Sequence, residues 1–341
     1  MGRKGDKMPR PSTAYAAAHI FALENKLLSR DRVERMVEAP SASEALKVLS
    51  ETEYAASVSE LDQPHDYEKM LAKEIHRMYD FFQTMSPDPE ITNLFFVKYD
   101  FHNLKVLLKA RYLDREEDEP LIETGGTLPL NVLKEAIEEE DYTKLPDYIR
   151  ETIEEVNQVM TFRVDPQKIA AILDRAMYRH IFNVCREKNN NFVLEYFTLQ
   201  ADLINIRTFL RVKKINQPFE FLKGLLLPGS QLGEDFFFEM MEEPVEHIAD
   251  RLSSQKYTKV VEQGVEAYLN TGSLSTYERL MDDFLLKFVK ASRWNPLGLE
   301  PIIGYLLAKE NEIRIIRIIM VGKINNLPSP IIRERLRDVY V

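Results

Sequence analysis

The chain has 341 residues, 45% of them hydrophobic, with 12 glycines, 17 prolines, one cysteine and a formal net charge of −10. A single core stops growing near about 250–300 residues, so division into domains is expected. The acidic balance argues against a general nucleic-acid binder, whose phosphate contacts need excess Lys and Arg. The lone Cys185 excludes an intrachain disulfide and fits a reducing compartment.

Residues 1–12 are basic and polar and read as a disordered tail, with no apolar core behind them that would make a signal peptide. Tyr15–Val37 has a long helical pattern, with Ala18, Phe21, Ala22, Leu28 and Met36 as core candidates and a possible break at Asp31, three residues before Glu34. Ser41-Ala-Ser-Glu44 is a capping box that opens a short helix. Asp66–Met85 is helical, and Asp88-Pro89 opens a long helix that continues past Tyr99. The charged run Arg115–Pro120 cannot bury enough apolar surface to fold and reads as a boundary.

Leu130–Ile137, Tyr148–Val159 and a helix begun by Asp165-Pro166 follow, then Phe192–Ile215. Pro218–Gly233 is a second boundary. Beyond it lie helical patterns over Phe236–Leu252, Lys259–Leu269, Tyr277–Val289 (opened by a capping box at Ser275 and Glu278) and Pro301–Ile324. Ser329-Pro330 opens a last helix through Ile332, Leu336 and Val339. No stretch shows sustained period-two alternation, so no sheet is expected. The most apolar stretch, 302–324, is cut by Lys309, Glu310, Glu312, Arg314 and Arg317, which argues against a membrane span.

One segment occurs three times: Tyr99–Arg111, Ala201–Lys213 and Asn311–Lys323. Asp100, Asp202 and Glu312 coincide, as do Leu104, Ile206 and Ile316, and Lys105, Arg207 and Arg317. Asn103 matches Asn205, but the third copy has Ile315 there. The acidic positions are 102 and 110 residues apart, too far for a solenoid repeat of about 20–50 residues and right for a small domain repeated three times. The expected division is 13–118, 119–222 and 223–341.

No motif carries chemistry. There is no phosphate-binding loop and no Gly-x-Gly-x-x-Gly, and the six histidines form no metal-ligand pair. Asp282-Asp283 lacks a polar partner at Leu286. Asp100/Asn103 and Asp202/Asn205 could line a ligand cleft or fix helix registry through hydrogen bonds. Lys105, Arg207 and Arg317 could ring a cavity, meet an acidic partner or make local salt bridges. No catalytic, cofactor or metal site is expected.

The repeated segments, the stretch Glu300-Pro-Ile-Ile-Gly-Tyr-Leu-Leu-Ala-Lys-Glu-Asn-Glu-Ile-Arg314, the following Arg317–Pro328 and Tyr15–Glu24 together resemble a known family. It is the C subunit of archaeal and bacterial A/V-type rotary ATPases, whose counterpart in the eukaryotic vacuolar enzyme is the d subunit. Ile315 departs from the Asn typical of that position. The resemblance implies an all-α fold of three homologous helical bundles arranged as a funnel or socket. It implies a non-catalytic rotor component at the cytoplasmic face, peripheral to the membrane. Its implied partners are the membrane rotor ring and the D and F subunits of the shaft. It implies no nucleotide and no cofactor, and leaves H⁺ or Na⁺ coupling open. A general helical scaffold without a rotary role is the rival reading, and it leaves the C-terminal match unexplained.

Overall fold

The computed structural model describes residues 10–161 and 164–341, and among them the chain is all-helical, without a strand. In chain order the helices are α1 (Thr13–Glu24), α2 (Arg30–Glu38), α3 (Ala42–Leu49), α4 (Ala55–Ser59), α5 (Tyr67–Met85), α6 (Pro89–Asn93) and α7 (Val97–Leu113). There follow α8 (Leu130–Glu139), α9 (Asp147–Met160), α10 (Pro166–Glu187), α11 (Asn191–Lys214), α12 (Phe219–Lys223), α13 (Glu234–Glu242) and α14 (Ile248–Arg251). The last are α15 (Thr258–Thr271), α16 (Ser275–Ser292), α17 (Glu300–Ile324) and α18 (Ser329–Arg335). The repeated segments lie in α7, α11 and α17. Of the basic tail expected over 1–12, residues 1–9 fall outside the described residues. Ser12 caps α1, its hydroxyl accepting from the Tyr15 N–H.

Several starts follow the local chemistry. The Ser41 hydroxyl accepts from the Glu44 N–H at 3.2 Å, and the Asp165 carboxylate accepts from the Gln167 N–H at 2.9 Å ahead of Pro166. Others differ from the sequence reading. The break in the first long pattern lies between Glu24 and Arg30, where Ser29 rather than Asp31 caps α2. α1 buries Ala16, Ala17 and Ile20 and exposes Ala18 and Ala22, because a helix apolar on every side offers no stripe to choose by. The helix opened by Asp88 stops at Asn93, and α7 starts afresh at Val97. Pro244 cannot donate to a helical ladder, and it splits the expected Phe236–Leu252 helix into α13, a short 3₁₀ turn and α14. Ser275 is the first residue of α16 instead of its cap, the Glu278 N–H donating to the Leu274 carbonyl. α18 ends at Arg335, so Leu336 and Val339 lie in a non-helical tail.

The chain divides into two compact units, residues 93–285 and residues 10–92 with 286–341. In the first, α7 packs on α8 and α10, and α11 packs on α10 and α12. In the second, α17 packs on α1, α2, α3 and α5. Its core joins Val33, Met36, Val37, Leu46, Leu49, Met70 and Leu71 from the start of the chain to Ile313, Ile315, Ile316, Ile319 and Met320 from near its end. The third repeat helix is therefore buried by the first helices of the chain. Grouping each repeat helix with the helices that answer it gives three modules. The first spans 97–187, the second 191–285, and the third is 300–341 with 13–85.

All three repeat helices stop in the same way. Asp114, Asn216 and Asn326, at equivalent positions, adopt φ of 48°, 50° and 53°. Asp and Asn enter this left-handed region more readily than other non-glycine residues, and one such residue past a helix satisfies its last carbonyls.

Ile316 is fully buried, so Ile316→Ala is expected to cost about 2–5 kcal/mol, read as a lowered urea midpoint. Because the core is shared between the chain ends, residues 28–71 should lose hydrogen-exchange protection with it.

Candidate functional site

The repeated polar positions build one arrangement three times. In the first module Asp100 is fully buried. Its Oδ2 accepts from the Thr127 N–H at 3.0 Å and the Thr127 hydroxyl at 2.5 Å, and its Oδ1 accepts from the Leu128 N–H at 3.0 Å. Gly126 is required here, because a Cβ would stand 2.4 Å from Asp100 Oδ1. In the second module Asp202 Oδ1 accepts from the Ser230 hydroxyl (2.5 Å), the Gln231 N–H (2.7 Å) and the Leu232 N–H (3.4 Å), and Oδ2 from the Tyr257 hydroxyl (3.1 Å). In the third module Glu312 Oε2 accepts from the Leu28 N–H at 2.5 Å, and Oε1 from the Tyr54 hydroxyl at 2.8 Å. Leu128, Leu232 and Leu28 each stand two residues before the next helix, α8, α13 and α2. One buried carboxylate per module thus holds the N–H groups that lead into the following helix.

A tyrosine accompanies each acid. Tyr257 and Tyr54 donate directly, and Tyr148, in the first turn of α9, lies beside Asp100 and Thr127 and stacks on His180 at 3.7 Å. Sequence reasoning missed these tyrosines. Tyr148 and Tyr257 follow their acids by 48 and 55 residues, but Tyr54 precedes Glu312, which hides the pattern from a linear comparison.

The asparagines fix registry. Asn103 Nδ2 donates to the Ile122 carbonyl and its Oδ1 accepts from the Ile122 N–H, both at 2.8 Å. Asn205 does the same to Leu227, at 3.0 and 2.8 Å. Each amide satisfies one residue's backbone from both sides, which a buried segment without regular pairing requires. Ile315 cannot do this and joins the apolar core, while Asn311, one turn earlier, donates to the Asp338 carbonyl at 2.8 Å.

The three cations singled out in the sequence each meet a carboxylate on another helix of their own module, α10, α16 and α5. Lys105 pairs with Asp174 at 2.8 Å, Arg207 with Glu278 at 3.5 Å, and Arg317 with Glu68 through two bonds of 2.7 and 2.9 Å. A second set, at the ends of the repeated segments, answers the ends of α8, α13 and α2. Arg111 donates to Glu140, Lys213 donates to the carbonyls of Met240, Met241 and Glu243, and Lys323 lies near Glu38. Cations belong at helix C-termini, where the dipole is negative.

The third module adds charge. Lys309 lies 2.5 Å from Glu312 and 2.8 Å from Glu74, all three nearly excluded from water, and Glu74 also accepts two bonds from Arg77. Burial by itself would lower the Lys309 pKa, but Glu312 and Glu74 outweigh it and hold the ammonium above its ordinary value. Burial pushes the Tyr54 hydroxyl well upward. Asp100 has no such cation. Burial outweighs its three hydrogen bonds and raises its pKa to about 6, and Asp202 moves in the same direction for the same reason. The buried Cys185 thiol is pushed up to about 12, away from reactivity. Among the described residues no cluster of three His, Cys, Asp or Glu side chains could hold a metal. The arrangement positions helices.

Two outcomes follow. Asp100 is easier to protonate folded than unfolded, so its contribution is complete below about pH 4 and is lost as pH rises through about 6. The stability lead of the unaltered chain over Asp100→Asn should therefore shrink across that window in urea titrations. Lys309→Met leaves two buried carboxylates facing each other and is expected to cost about 3–5 kcal/mol. Adding Glu312→Gln should recover part of that loss in the same measurement.

The sequence profile of the ATP synthase (C/AC39) subunit family matches residues 16–335. The chain is 27% identical over 323 residues to the C subunit of the V-type sodium ATPase of Enterococcus hirae, covering 94% of this chain and 97% of that one. It is 28% identical over 343 residues to the C subunit of the A-type ATP synthase of Methanocaldococcus jannaschii, covering 95% and 86%. Against the C subunit of the A-type ATP synthase of Methanobrevibacter smithii it is 28% identical over 338 residues, covering 90% and 83%. A match that begins in α1 and ends with α18 takes in all three repeat helices and their clasps, and the chain belongs to the ATP synthase (C/AC39) subunit family.

Proposed function

We propose that the chain is a non-catalytic central-stalk component of an A/V-type ATPase. In this reading it links the shaft made by the D and F subunits to the membrane rotor ring and passes torque between them during ATP-coupled H⁺ or Na⁺ transport. The observation that supports this best is the threefold recurrence of the buried carboxylate clasp. A piece that carries torque has to resist bending where helices join. Each clasp ties the entry of one helix to a buried carboxylate on another through directional bonds, in interiors packed too tightly to yield. The polar groups that recur are spent on this bracing, and the sequence carries no phosphate-binding loop. Among the described residues no helix is long and apolar enough to cross a membrane, and attachment through contact with the ring accords with that. Stable contacts of this kind bury about 1,200–2,000 Å² each.

Removing the chain from the assembly should release the soluble head from the membrane sector, and the purified chain should capture both ring and shaft subunits. Capture of neither would overturn the proposal. Lys105, Arg207 and Arg317 enter it as partner contacts on the shaft side. Exchanging charges within a pair, Lys105→Asp with Asp174→Lys and Arg317→Glu with Glu68→Arg, keeps each internal bridge and reverses the sign presented outward. (Glu278 is left alone, because Arg211 shares it.) Shaft affinity should fall by about tenfold or more, near 1.4 kcal/mol; unchanged affinity removes these cations from the interface.

A further inference from the structure

In the first two modules the chain runs unbroken from the repeat helix to the residues that donate to its acid: from Asp114 to Thr127 and Leu128, and from Asn216 through α12 to Leu232. In the third module the order is reversed: the equivalent donor, Leu28, does not follow Asn326 and α18 but precedes Glu312 by 284 residues, so no such direct connection joins them. Residues 336–341, which follow α18, and α1 both pack beside this clasp.

The tail is seated by side chains. Asn311 holds the Asp338 carbonyl, and the Asp338 carboxylate faces Lys287 at 3.0 Å and Arg30 at 4.0 Å, all three well exposed. Such exposed pairs contribute only about 0–1 kcal/mol each. Tyr340 is buried, with Lys290 and Arg293 over its ring at 5.7 and 5.6 Å. Its hydroxyl enters a notch on α17 that exists because residue 304 is glycine; a Cβ there would stand 2.8 Å from it. The same hydroxyl interacts with Glu24, the last residue of α1, and with Arg293, which pairs with Glu24 at 3.6 Å. Yet Tyr340 Oη, Glu24 Oε1 and Arg293 Nε each lack a protein hydrogen bond of good geometry. Buried polar atoms that meet with poor geometry hold a seat less firmly than well-formed hydrogen bonds do. A cavity of about 10 Å³ beside it is lined by Leu27, Leu28, Asn311, Glu312, Val339 and Tyr340.

We propose that residues 336–341 form a releasable strap, a non-covalent replacement for the connection that the other two modules make covalently. With Tyr340 seated, the end of α1 and the Leu28–Glu312 clasp are held against α17. With Tyr340 unseated, α1 and the tail open together while the rest of the third module, tied by Lys309 and the apolar core, stays folded. The third module is thereby the one that yields locally.

The test is hydrogen exchange on the full chain bearing Tyr340→Ala, and separately Gly304→Ala, which fills the notch while leaving the sequence of the tail unchanged. Both should speed exchange in residues 13–28 by at least about tenfold and leave α8, α9 and α10 unchanged. Unchanged exchange in 13–28 in both variants would overturn the proposal. So would a uniform rise across the chain, which would make Tyr340 an ordinary core residue. Asp338→Asn should give a smaller effect confined to the same segments; an effect larger than that of Tyr340→Ala would count against the strap.

Discussion

A carboxylate removed from water must be answered by donors, and on each repeat helix the donors are backbone N–H groups two to three residues ahead of another helix. Desolvation of the acid costs several kcal/mol, and each charge-assisted bond returns about 1.5–3 kcal/mol. The net gain is modest, but the geometry is exacting. Only one register of the incoming segment presents its N–H groups to the buried carboxylate, so Asp100, Asp202 and Glu312 each decide where the next helix begins.

The two answers to burial differ between modules. Asp100 and Asp202 rely on backbone and hydroxyl donors alone and are pushed toward protonation. Glu312 reaches farther, to a segment from the opposite end of the chain, and gains Lys309 as a partner. The isoleucine at 315 fits the same division of labour. Where the connecting segment is continuous, an amide holds it, as Asn103 and Asn205 do. In the third module an isoleucine fills the core and Asn311 takes the tail instead.

These braces connect to the proposed mechanical role through stiffness. Ion pairs between helices and cations near helix ends recur at matching positions in three modules, and paired amides in two of them. The third module carries the extra ionic cluster and takes its donor from a segment 284 residues earlier, so its rigidity depends on side chains where the others have a direct main-chain connection.

The helices, the repeat and the acids, asparagines and cations that recur with it were legible in the sequence, because helical periodicity and charge at fixed spacing are local properties. Misplaced boundaries came from signals read too coarsely: Pro244 inside an apolar run, Ser29 ahead of a second capping pattern, and an α1 with alanines on every side. The sequence alone determined that three equivalent helices exist and which polar residues each carries. Only the tertiary structure decided what answers them. Leu28, Tyr54 and Glu74 meet Glu312 and Lys309 across more than two hundred residues, and such pairings follow from packing of an apolar core shared by both chain ends, which no local spacing records.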